Sequence, residues 1–211
     1  MAQLQWIRLN REQAQRVLKQ LSTHRDAVVF SREVTDVSWL ELPFYTNYRL
    51  YRLVNYATLP TFTMTYLSDG SEYIALDGTA NPIYTVNEKD PLQLTEDNVI
   101  GYLVFFFGNV QGSEGDVFLI KNPDKMPFMS SLTPAQKQNI DRSFRMLEVI
   151  PDPANHCFIV NATLHYGGGL VAAEIVIMDD GKISFQDQNL LITGIHFPHS
   201  PHTQGWLESI G

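Results

Sequence analysis

Three of the six histidines in this 211-residue chain fall in the stretch IHFPHSPH (195–202), at a strict spacing of three: His196, His199 and His202. Imidazoles at regular spacing raise the question of a metal. Pro198 and Pro201 favour an extended, polyproline-like path, which would put all three rings on one side. The rise of that path is about 3.1 Å per residue, so neighbouring rings sit about 9 Å apart and the outer two about 18 Å. A tetrahedral zinc with nitrogen ligands at about 2.0 Å cannot take the outer pair without a specific fold-back. No cysteine or carboxylate lies nearby in sequence to complete a ligand set. The segment therefore reads as a surface tail tied down by Phe197 and Trp206, and no metal is assigned to it.

The other residues with chemical potential lie in HCFIVNATLHYGGGLVAAEIVIMDDGKISFQDQNLLI (156–192), which reads as three antiparallel strands joined at YGGG and DDGK. A two-residue turn through Gly167 and Gly168 sets Leu164 opposite Val171. A three-residue loop, Asp179 to Gly181, with Gly181 left-handed in a bulge, sets Ile177 opposite Ile183; a two-residue turn would oppose Ile177 to Ser184. The first choice matches apolar to apolar and leaves one face apolar throughout. The opposite face then carries Asn161, Glu174 and Gln186 in one row, with Thr163, Ala172 and Gln188 in the next and His165 beyond Thr163. Glu174 is flanked by LVAA and IVIM. Under a cover, desolvation would raise its pKa and fit it for general acid or base work, with His165 as a second titrating group. Asn161, Thr163 and Gln186 would bind and orient the substrate. The bland reading of the same row is the solvated side of an antiparallel sheet.

Other motifs are weaker. HYGGGL (165–170) leads from strand to strand, whereas a phosphate loop leads from strand to helix. His156 and Cys157 are adjacent on a strand, point to opposite faces and cannot form one nucleophile–base pair. The Tyr- and Thr-rich stretch 45–66 could line an aromatic pocket or simply build strands. No motif names a cofactor.

The elements that must position these residues can be read in outline. Asn10 and Gln13 open a helix over 10–22. AVVF (27–30) reads as a strand, and 31–46 as irregular. Strands follow at 48–56, 61–67 and 72–76. A helix from Thr95 to GN (108–109) is apolar nearly all round, with a central strand as the alternative. DVFLI (116–120) is a strand, and TPAQ (133–136) opens a third helix with Ile140, Phe144 and Leu147 inside. The expected fold is α+β: a twisted antiparallel sheet with three main helices packed mainly on one face, ending in a three-stranded meander. It is expected as a single domain over 1–211, with subregions at 1–90 and 91–194 and a His/Pro-rich tail at 195–211. The organisation is similar to that of compact bacterial domains of unknown role, and no motif transfers a function.

Fifteen Lys and Arg against 23 Asp and Glu give a formal charge of −8. That opposes a general nucleic-acid or anionic-membrane surface. One cysteine and no export signal point to a cytoplasmic protein. Two functions are expected to compete. One is a binder of a small polar molecule on the polar sheet face, with Glu174 and His165 catalytic if it is an enzyme. The other is a non-catalytic interaction module or homodimer working through that face.

Overall fold

The computed structural model describes residues 5–22, 29–57, 59–112, 115–122 and 132–194. The chain is α+β, with two antiparallel sheets and four helices among the described residues. It divides into two compact units, 1–93 and 94–211.

The first unit contains β1 (Ile7–Arg8), α1 (Arg11–Leu21), β2 (Thr35–Glu41), β3 (Arg49–Asn55), β4 (Phe62–Ser68), β5 (Tyr73–Ala75) and α2 (Asn81–Lys89). The five strands pair in chain order as one meander. α1 begins with the expected capping box, Asn10 and Gln13 each accepting from the other's backbone N–H. Its Val17, Leu18 and Leu21 pack on Val37, Leu53, Tyr66 and Tyr73, which share one sheet face. The stretch 31–46 is not irregular throughout, because β2 occupies its middle. Burial of Val37 on one face and Leu40 on the other erased the alternation that would have marked it. AVVF does not form the expected strand at residues 29 and 30, and residues 27 and 28 lie outside the described set. α2 was not expected. It starts without a side-chain cap, although Pro82 in its first turn and buried Ile83 and Val86 carry its signal.

Asp90, only 5% exposed, closes α2. Its carboxylate accepts from the backbone N–H of Thr46 (3.0 Å), Asn47 (2.8 Å) and Tyr48 (3.2 Å), which fixes the β2–β3 connection against the helix end. Nearby, Glu72 accepts from Lys89 Nζ at 2.6–2.7 Å and from the Tyr48 hydroxyl. Lys89 first, then Tyr48, hold Glu72 below the usual carboxylate range.

The second unit contains α3 (Val99–Asn109), β6 (Phe118–Ile120), α4 (Pro134–Ser143), β7 (Glu148–Asp152), β8 (Cys157–Tyr166), β9 (Gly169–Met178) and β10 (Ile183–Thr193). The expected meander is present as β8, β9 and β10. The sheet also extends beyond β8, whose outer edge pairs with β7 over its first half and β6 over its second. The register is the one the apolar pattern selects: Ile177 faces Ile183, Leu164 faces Val171, and Gly181 has φ +82°. The segment 99–109 is a helix, not a strand. α3 lies on the apolar face, where Phe107 stacks on Phe185 and the Tyr102 hydroxyl donates to the Gly181 carbonyl at 2.8 Å. α4 packs on the opposite face, Ile140 against Leu170, Ala172 and Ile192. The expectation of helices mainly on one face therefore fails in this unit: the far end of the supposedly polar face is itself apolar and needs cover. No helix among the described residues is long and apolar enough to cross a membrane.

Two measurements test this packing. A Cβ built on Gly169 would lie 2.7 Å from the Ile192 carbonyl oxygen, so Gly169→Ala should cost about 1–3 kcal/mol in denaturant unfolding. Glu72 has a depressed pKa in the fold. Its contribution is full above its ordinary value of 4.5 and is lost as pH falls through the lower folded value. Melting temperatures followed between about pH 6 and pH 3 should therefore fall less steeply for Glu72→Gln than for the native chain.

Candidate functional site

The row predicted from sequence begins correctly. Asn161 on β8 faces Glu174 on β9, and β7 adds Glu148 on the other side of Asn161. On β10 the expectation fails by one residue. The register shifts between Phe185 and Asp187, so Glu174 faces Asp187, and Gln186 is the extra residue of a bulge. Gln188 likewise moves off this face, and Asn189 takes the place opposite Ala172.

Without the bulge, Asp187 would stand opposite Ala173, the position that the exposed Gln188 takes instead. One inserted residue turns Asp187 to face Glu174 and lets Leu190 rejoin the apolar face opposite Val171.

Across four strands the row therefore reads Glu148, Asn161, Glu174, Asp187. Neighbours on such a row are about 4.8 Å apart through the backbone. Asn161 Nδ2 donates to Glu148 Oε2 at 3.3 Å, and Arg145 Nη2 donates to Asp187 Oδ2 at 2.6 Å. Glu174 is half-buried, while Glu148 and Asp187 are exposed. Arg145, Met146, Glu148 and Asn161 line a depression of about 510 Å³, and Met146 is 78% exposed beside it.

Arg145 reaches the row because the chain leaving α4 is pinned across β8. Its backbone N–H donates to Thr163 Oγ1 at 2.9 Å, and the Thr163 hydroxyl donates to its carbonyl at 3.1 Å. Sequence reading missed Arg145, Glu148 and Asp187. The first two required knowing that β7 and the chain before it run beside β8.

The remaining predicted residues are placed elsewhere. Thr163 is fully buried and committed to the Arg145 backbone. His165 is 6% exposed and lies against Phe118, with ring centroids 5.7 Å apart. Four residues of strand put it about 13 Å from Asn161 along β8. Glu174 and His165 thus do not converge on one reacting centre. Cys157 is buried, and burial pushes its thiol above the ordinary range. His196, His199 and His202, with Phe197 and Trp206, lie outside the described residues. No group of three or more His, Cys, Asp or Glu suited to a metal occurs among the described residues.

No family model, curated protein or solved structure matches this chain.

Thr163→Val should remove both hydrogen bonds to Arg145 and cost about 1–3 kcal/mol in chemical unfolding. It should also loosen the Arg145–Asp187 pair, which the NMR shift of the Arg145 Nε–H would report.

Proposed function

We propose that the protein is a non-catalytic binding module whose C-terminal sheet presents the row Glu148, Asn161, Glu174 and Asp187 to a basic partner. The observation that supports this reading is the division of the predicted site by burial. The groups suited to chemistry or substrate positioning, His165 and Thr163, are enclosed beneath the second half of the sheet, while the acidic row is the accessible half. Three carboxylates and one arginine leave the row with an excess of two negative charges, and Met146 offers an apolar contact at its edge. Lysine or arginine side chains with an apolar neighbour fit such a surface, and electrostatic attraction would speed their encounter. A small polar molecule on the same row is the second reading, favoured by the depression that Arg145 and Met146 enclose with Asn161.

The two are separated by titrating the full chain with a lysine-rich peptide and, separately, with small polar amides and amino acids. Fluorescence anisotropy should show peptide binding that weakens as salt rises from about 0.05 to 0.5 M. The double variant Glu148→Lys/Glu174→Lys should lose about tenfold or more in affinity, since each reversed charge turns attraction into repulsion. Undiminished binding by that variant sinks the reading. Saturable small-molecule shifts at the Asn161 side-chain amide, without peptide binding, would establish the second reading in its place. Concentration-dependent dimerisation abolished by the same charge reversals would identify the partner as a second copy.

A further inference from the structure

Between the start of α1 and the start of β2, the first unit carries a cleft of about 770 Å³, a size typical of small-molecule sites. Its accessible apolar lining is Leu9 and Ala14, both half-buried; Leu18 and Val37 also border it but are buried in the core. Arg8, Arg11, Arg32 and Tyr56 also line it, together with the carboxylates Glu33 and Asp36.

The three guanidiniums are not equivalent. Arg8 donates to Asp36 at 2.5 Å and is balanced by it. Arg11 and Arg32 both act on a single carboxylate, Glu33. Hydrogen bonds from Ser31 and the backbone, and then the charges of Arg32 and Arg11, hold that group below its usual range. The lining therefore carries three cations against two anions.

The backbone adds to this excess. Arg11 is the first residue of α1, where the helix dipole is positive and a cation is disfavoured. The acidic residue of that first turn, Glu12, is engaged by Arg16. The charge is also unusual for the chain. Residues 1–93 hold nine Lys and Arg against ten Asp and Glu, and residues 94–211 hold six against thirteen. Within so acidic a protein, a cleft with surplus arginine and a partly apolar lining asks for a complementary anion.

We propose that this cleft binds a small organic oxyanion, a carboxylate or phosphate ester carried on an apolar body. Arg11 and Arg32 grip the anionic end, each able to offer a two-pronged pair of N–H donors. Leu9 and Ala14, with the exposed Tyr56 ring at the mouth, take the apolar body.

The test is calorimetric titration of the full chain with benzoate, decanoate, phenyl phosphate and inorganic phosphate, with benzyl alcohol as the neutral control. At least one apolar-bodied anion should bind with a stoichiometry near one, and about tenfold or more tighter than inorganic phosphate or benzyl alcohol. The preference between phenyl phosphate and the carboxylates assigns the oxyanion. Arg32→Gln and Arg11→Gln, each checked for native circular dichroism, should each weaken binding about tenfold or more. Arg16→Gln, which is paired with Glu12 and does not line the cleft, should bind like the native chain. Absence of saturable binding by all the anions overturns the proposal, as does native-like affinity in both Arg32→Gln and Arg11→Gln.

Discussion

A strand has two faces, and a single inserted residue exchanges them for everything that follows. In β10 that constraint decides what the second unit offers to its surroundings. In simple alternation Asp187 would fall opposite Ala173, on the face away from Arg145. The bulge at Gln186 turns it to the face where Arg145 Nη2 donates to it, at the modest cost of a locally interrupted ladder. A second shift, between Leu190 and Ile192, sets Ile192 opposite Leu170, where Ile140 of α4 meets both. Gly169 fits the same geometry, since the β10 backbone passes too close for a side chain there. The acidic row, the Arg145–Asp187 pair and the seat of α4 all follow from where these two extra residues sit.

The first unit solves a different problem with a different device. Its sheet is a plain meander in chain order, so pairing is local and the difficulty lies in the connections. The β2–β3 connection exposes three successive backbone N–H groups that no strand partner takes. Asp90 takes them all, and a carboxylate accepting backbone N–H groups makes stronger bonds than a neutral acceptor would. Because Asp90 is also the residue on which α2 ends, one side chain couples helix termination to loop shape. Tyr45 reinforces the coupling through its hydroxyl, which donates to Asn87 of α2 at 2.6 Å.

What could be read from sequence follows the range of the signal. Both capping boxes, the all-apolar α3, the Gly167–Gly168 turn and the Gly181 bulge depend on residues within a few positions of one another, and each was legible. β2 was hidden because its two faces are both partly buried, and α2 because its N-terminus relies on proline without a capping side chain. β7 was missed although it joins β8 through a four-residue loop, 153–156, with Asp152, Pro153 and Asn155 as turn residues. Half of the candidate row, Asn161 and Glu174, came from local register. Glu148 came from the β7–β8 hairpin and Asp187 from the bulge in β10.

Alternation alone favoured Gln186 and Gln188 as the outward pair, and both are polar enough to make the choice look complete. On this strand residues 184–190 are exposed on both faces, so polarity does not fix the register there. The same tolerance near solvent lets Arg11 stand at the positive end of α1. That position is near solvent, where the penalty is a few tenths to one kcal/mol rather than several. A charge that the fold merely discourages persists at the surface, where a ligand of opposite sign can relieve it.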